Sequence, residues 1–185
     1  RNNARLVRDV VFKLITEVLD EGPHRHRSSI TQSANSTPLN VIGDGVDVVI
    51  STTPEKLTAM RDEVRVMHTE SGLLEKIPQG VSLSEAEELV LHYLQAHTAA
   101  GKSPLAGNSV GMDRNFIARD MPRLNEYLHY RTVDVSSIKE LARRWYPKVY
   151  FGAPKKTGNH RALGDIKDSI EELRYYRDSI FIPQN

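Results

Sequence analysis

No cysteine occurs among the 185 residues, which excludes disulfides, thiolate zinc sites and a cysteine nucleophile. Any metal has to be held by carboxylate, imidazole or water, and a cysteine-free chain suits a reducing compartment. No charge of one sign dominates either. With 25 basic and 24 acidic side chains the formal net charge is +1, so no bulk field draws in long nucleic acid and any polyanion site must be local. Long apolar runs are missing too: the aliphatic stretches last a few residues, far short of the ~20 that span a bilayer. No membrane partner is expected. The first residues lack the apolar core and small-residue cleavage pattern of a secretory signal, so a cytoplasmic location is the expectation. What is present, 39% apolar and 26% charged residues, is the composition of an ordinary globule, long enough for one domain that buries roughly 70% of its unfolded surface.

Patterning along the chain alternates helix and strand signals. Val10, Val11, Leu14, Ile15, Val18 and Leu19 recur at helical spacing before Gly22, whereas Pro23 to Pro38 carries one large aliphatic residue, Ile30, and no period; it reads as an uncommonly long loop. In "LNVIGDGVDVVI" (39 to 50) two β-rich runs flank Asp44-Gly45, a pair that tolerates the positive φ angles of a hairpin turn. A helix is predicted from Leu57 to His68. Ser82 and Ser84 each precede a glutamate by three residues, overlapping capping boxes for a helix that buries Ala86, Leu89, Val90, Tyr93 and Leu94. "SPLAGN" predicts a strand, Met112 to Met121 a helix stopped by Pro122, and "YRTVDV" a strand feeding a capping box from Ser137 to Glu140. The helix there should bury Ile138, Leu141, Ala142 and Trp145, and a last helix over about 162–178 should turn Ile166, Ile170 and Leu173 inward. The pattern is that of a single mixed α/β unit.

Three constellations could carry chemistry. "GNSVGMDRNF" (107 to 116) sets a small polar turn ahead of Asp113 in a first helical turn. The helix dipole alone would stabilise a carboxylate there by ~0.3–1 kcal/mol, so an ordinary helix start, an anion site and a metal site all fit. In "GNHRALGD", His160 and Asp165 are five apart, about 140° around one helix. They converge only if His160 lies in the preceding loop while Asp165 points inward from the first turn; exposed positions for both are the bland alternative. Between Glu140 and Asp165 no acid occurs, and Arg143, Arg144, Lys148, Lys155, Lys156 and Arg161 interleave with Trp145, Tyr146, Tyr150 and Phe151. Phosphates and bases call for that mixture, and so does a solvated loop with aromatic anchors.

Four blocks, "MHTESGL" (67 to 73), "PLAGNSVGMDRNFIARDMP" (104 to 122), "LHYRTVDVSSIKELARRWYP" (128 to 147) and "HRALGDIKDSIEELRYYR" (160 to 177), give the chain from about Leu39 to Gln184 a resemblance to the oligoribonuclease family. These are small 3′-to-5′ exoribonucleases of the histidine branch of the DEDD superfamily. The resemblance implies a single RNase-H-like domain with a mixed sheet flanked by helices, and hydrolysis of very short oligoribonucleotides, dinucleotides above all, to mononucleotides. It implies two divalent ions, Mg2+ or Mn2+, gripped by four carboxylates. Asp113 falls on the third of these and Asp165 on the fourth, while His160 falls on the general base, a role that suits an imidazole titrating near neutrality. Asn108 and Ser109 then line the turn beside the substrate. His129, Tyr130 and Arg131, followed by Ser136 and Lys139, are implied to cap the substrate's 5′ phosphate, and His68 matches a position near the substrate. A base-stacking aromatic found in some members has no counterpart in "MRDEVRVMH" (60 to 68). The resemblance further implies a homodimer that completes the site, with short single-stranded oligoribonucleotides as partners.

The first two carboxylates are where the pattern breaks. The family's first strand reads approximately "LVWIDxEMTGL", whereas this chain has "LVRDVVFKLI"; aligned on Leu6 and Val7, the acid pair becomes Val10 and Phe12. Asp9 is one residue out of register and on a strand would face the other side. Residues 1–38 therefore form an atypical N-terminal segment ahead of an exonuclease body over 39–185. Two missing ligands imply impaired catalysis, and a non-catalytic, nucleotide-binding dimeric scaffold is the competing reading. One hypothesis accounts for the break: if Pro23 to Ser29 are encoded CCA CAT CGT CAT CGA AGT AGC, the frame one nucleotide later reads His-Ile-Val-Ile-Glu-Val-Ala, close to the strand the family has there.

Overall fold

The computed structural model describes residues 39, 43, 45–154 and 162–181. The N-terminal helix and long loop expected before Pro38 lie outside these residues. The hairpin expected around Asp44 falls partly outside them. Within its described half, residues 45–50, Ile50 forms an isolated parallel bridge with Val81. Gly80 permits that approach, since a Cβ there would lie 2.6 Å from the Val49 carbonyl oxygen.

Two helices replace the one predicted over 57–68: α1 (Pro54–Thr58) and α2 (Asp62–Glu70). The break occurs because Met60 turns into the core, 7% exposed, and Arg61 is extended. Arg65 of α2 donates from Nη2 to the Leu57 carbonyl at 2.5 Å, a second donor beside Met60 N at 3.3 Å for this helix-end acceptor. After a 3-10 turn (Ile77–Gln79) comes α3 (Leu83–His97). Ser82 alone caps it: its Oγ accepts from Glu85 N at 3.2 Å, and Glu85 Oε2 accepts from Ser82 N at 2.8 Å. Ser84 falls inside the helix. Ala86, Val90 and Leu94 are fully buried as expected, while Leu89 stands 47% exposed and Leu91 takes its place inside.

The strand β1 (Pro104–Gly107) leads through α4 (Val110–Asp120) and α5 (Pro122–Tyr127) to β2 (His129–Asp134). Pro122 is the first residue of α5, where its missing N–H costs nothing. The two strands pair in parallel, with Leu105 opposite Thr132 and Gly107 opposite Asp134. This is the whole sheet among the described residues, and it sustains the α/β class. Next come α6 (Val135–Trp145), α7 (Pro147–Gly152) and α8 (Ala162–Ile180). In α6 the inward stripe is Val135, Ile138 and Ala142; Leu141, about 100° round from Ala142, is 43% exposed, and Trp145, at the helix's last position, is 66% exposed. Their expected burial is thereby corrected. Ile170 is buried on α8 as expected, Ile166 and Leu173 are half-buried, and Tyr176, which periodicity did not single out, is fully enclosed.

The core falls into two clusters. One joins α3, α4, α5 and β1 through Val90, Leu94, Leu105, Ile117, Met121 and Leu124. The other joins α6 and α8 through Val135, Ala142 and Tyr176. No helix among the described residues is long and apolar enough to cross a membrane.

Candidate active site

Between the two clusters, at the C-terminal ends of both strands, one hydrogen-bonded group draws on three elements. Asn108, in the turn after β1, donates from Nδ2 to Ser169 Oγ (2.8 Å) and to Glu172 Oε2 (3.2 Å) of α8. Its Oδ1 accepts from Ser136 Oγ of α6 at 3.0 Å. Ser136 Oγ lies 3.2 Å from Ser109 Oγ. Lys139, one turn along α6, sets its Nζ 3.1 Å from Glu172 Oε1. Ligands of parallel sheets gather at this end of the strands.

Ser109 sits at φ 57 and ψ 32, the one non-glycine positive φ among the described residues. A left-handed conformation costs an L-residue about 1–2 kcal/mol, so something must hold it. Asp134 does: its Oδ1 accepts from Ser109 N at 3.0 Å and from Ser136 N at 2.9 Å, capping α6 with the same oxygen. The capping box expected from Ser137 to Glu140 is therefore absent. Glu140 instead pairs with Arg143 and Arg144, whose guanidinium hydrogen bonds, Arg143's foremost, bring its carboxyl down to about 2.

On α8, Asp165, Ser169, Glu172 and Tyr176 recur at four, three and four residues, which is one helix face. Ser169 Oγ donates to the Asp165 carbonyl at 2.7 Å, so Asn108 and the first turn of α8 are two hydrogen bonds apart. Tyr176 OH donates to Glu172 Oε1 at 3.5 Å. Burial, reinforced by the Glu172 charge, pushes the Tyr176 phenol up to about 12.

The expected site residues divide accordingly. Asn108, Ser109, Ser136 and Lys139 come together. His129, Tyr130 and Arg131 form a second group: His129 Nδ1 accepts from Arg131 N at 3.1 Å, the His129 and Tyr130 rings lie 4.5 Å apart, and the Arg131 guanidinium stands 5.1 Å over the Tyr130 ring. Arg131 is three residues up β2 from Asp134, about 10 Å along the strand. His68 is 4% exposed at the end of α2, with its carbonyl oxygen closing the following turn. Asp113 and Asp165 are exposed in the first turns of α4 and α8. His160 lies outside the described residues, as do Lys155, Lys156 and Arg161 of the basic run. In that run Trp145, Tyr146 and Phe151 are exposed, while Tyr150 packs against the second core cluster. Among the described residues no group of three or more His, Asp or Glu is placed to hold a metal, so the expected two-ion arrangement is not assembled by them.

Comparison with known proteins settles the ancestry. A family model described as exonuclease matches residues 34–173. The oligoribonuclease of Streptomyces griseus is 60% identical over 147 residues, spanning 79% of this chain and 73% of that protein. The chain belongs to the oligoribonuclease family of exonucleases. Oligoribonucleases of Cutibacterium acnes (56% over 146 residues, 78% of this chain and 72% of theirs) and Rhodococcus jostii (54% over 157 residues, 84% and 79%) are similar to it too. Membership in the oligoribonuclease family makes this a nuclease fold, and exonucleases of this kind generally depend on a divalent metal ion.

Three members of the group escaped the sequence reading: Asp134, Ser169 and Glu172. Asp134 had a local signal, an acid two residues before a serine at a strand-to-helix junction, the spacing of an N-cap acceptor. Ser169 and Glu172 were visible as a polar stripe on α8 in register with Asp165. Nothing local marked that stripe as facing Asn108, about sixty positions earlier.

Proposed function

We propose that the chain is a cytoplasmic, homodimeric 3′-to-5′ exoribonuclease that trims very short oligoribonucleotides, dinucleotides above all, to mononucleotides with Mg2+ or Mn2+. One observation carries the reading: Asn108 and Lys139 contact α8, which holds Asp165 in its first turn, and Ser136 and Ser109 adjoin Asn108, at the strand ends where a ligand is expected. In this reading Asp113 and Asp165 are metal ligands, His160 is the general base, Asn108 and Ser109 line the turn beside the substrate, and Arg131, Ser136 and Lys139, with His129 and Tyr130, cap its 5′ phosphate. His68 lies near the substrate. Arg131 suits a phosphate because its planar fork donates two hydrogen bonds at once.

Incubating the purified protein with a 5′-phosphorylated diribonucleotide and Mn2+ should release mononucleotide, and EDTA should stop it. His160→Ala should abolish the release while leaving dinucleotide binding in place, and Arg131→Ala should weaken binding with little effect on the fold. A second reading, a nucleotide-binding scaffold without catalysis, is favoured by Val10 and Phe12 at the family's acid pair. Binding without cleavage would select it, and absence of both would end the nucleotide proposal altogether.

A further inference from the structure

We propose that Glu172 determines how tightly the site grips a terminal phosphate, as a fixed counter-charge to Lys139. The proposal rests on the reading above, in which Lys139 and Ser136, with Arg131, face the phosphorylated end of the substrate. The Glu172 side chain is 4% exposed and that of Lys139 is 37% exposed. The carboxylate partner is therefore buried, and the lysine side chain is the one partly open to solvent. A buried carboxylate is costly unless donors surround it, and Lys139 Nζ, Asn108 Nδ2 and Tyr176 OH do so at 3.1, 3.2 and 3.5 Å.

Among the described residues, the hydrogen-bonded group itself includes two carboxylates, Asp134 and Glu172, and one ammonium, that of Lys139. Asp134 is compensated by the two backbone N–H groups it accepts from. Glu172 is compensated by Lys139 itself, so the lysine is neutralised before any substrate arrives. A phosphate reaching Lys139 from solvent meets a carboxylate roughly 6 Å away on the far side, close enough to cancel much of the attraction. Recognition then falls to the hydroxyls and to the Arg131 fork.

This suits the proposed reaction. Cutting a 5′-phosphorylated dinucleotide from its 3′ end leaves the same phosphate on a mononucleotide product, so grip on that phosphate holds substrate and product alike. Uniform binding of this kind does not speed chemistry, and it slows release. Glu172 keeps the grip weak enough for the product to leave.

The test measures binding by calorimetry, in EDTA so that nothing is cleaved, for a 5′-phosphorylated diribonucleotide and its 5′-hydroxyl counterpart at a series of salt concentrations. Glu172→Gln should tighten binding of the phosphorylated ligand about fivefold to tenfold and steepen the slope of log Kd against log salt by about 0.7, the value of one further phosphate contact to a single strand. Binding of the hydroxyl ligand should not change. Both effects should vanish in the Glu172→Gln/Lys139→Met double variant. Glu172→Asp, which keeps the charge, should retain the wild-type slope even if it unfolds at lower temperature. Weaker phosphate binding by Glu172→Gln, or an unchanged slope, overturns the proposal. Equal wild-type affinity for the two ligands overturns the functional reading, and the proposal with it.

Discussion

A single carboxylate oxygen of Asp134 holds two backbone N–H groups, one from the start of α6 and one from Ser109 in its left-handed conformation. Removing it should therefore cost more than an ordinary cap. We expect Asp134→Ala to lower the unfolding free energy by about 1–2 kcal/mol in urea titration, and Asp134→Asn, which keeps an acceptor oxygen, to lose a few tenths of that range at most. At this scale the sequence was legible where a motif was local. Asn108, Ser109, Ser136 and Lys139 were all singled out, and they meet. Glu172 was not, because its role depends on what lies opposite it across a helix interface.

Elements are joined by buried polar contacts as well as by apolar packing. Glu87, 7% exposed on α3, accepts from the Leu124 backbone N–H of α5 at 3.0 Å. Such a donor, at a helix start, has no partner within its own helix. Glu87→Ala should destabilise by about 1–3 kcal/mol, the cost of stranding a buried donor, with Glu87→Gln losing less; thermal unfolding of both variants checks this. Helix existence was well marked by periodicity in α3, α4, α6 and α8, and both strands fall where β-rich runs were read. Boundaries and faces were less so. The predicted single helix over 57–68 divides because Met60 is drawn into the core, and Trp145 lies outside because α6 presents Ala142, not the tryptophan, to Tyr176. Periodicity reports that a helix has an apolar side; it does not report how wide the neighbouring surface is.

At the scale of the molecule, two core clusters meet along the group built from Asn108, Ser136 and Glu172. The matched family begins at residue 34, and the stretch before it lacks the family's acid pair. The shifted-frame hypothesis makes a direct prediction: sequencing the coding DNA across residues 8–39 should show codons that spell the family's strand one nucleotide later. Codons incompatible with that reading would refute it, leaving a chain that has diverged there.

Sequence alone determined the α/β class, the family, and part of the group around the strand ends, Asn108, Ser109, Ser136 and Lys139, because long specific motifs and helical or strand periods are written in neighbouring positions. Only the tertiary structure decided that Asn108 points its amide at α8 and not at solvent, that Ser109 is held left-handed by Asp134, and that Lys139 is neutralised from behind by Glu172. Those outcomes depend on contacts between segments roughly 25 to 65 residues apart. Charge compensation and strain arise only when packing brings such segments within about 3 Å.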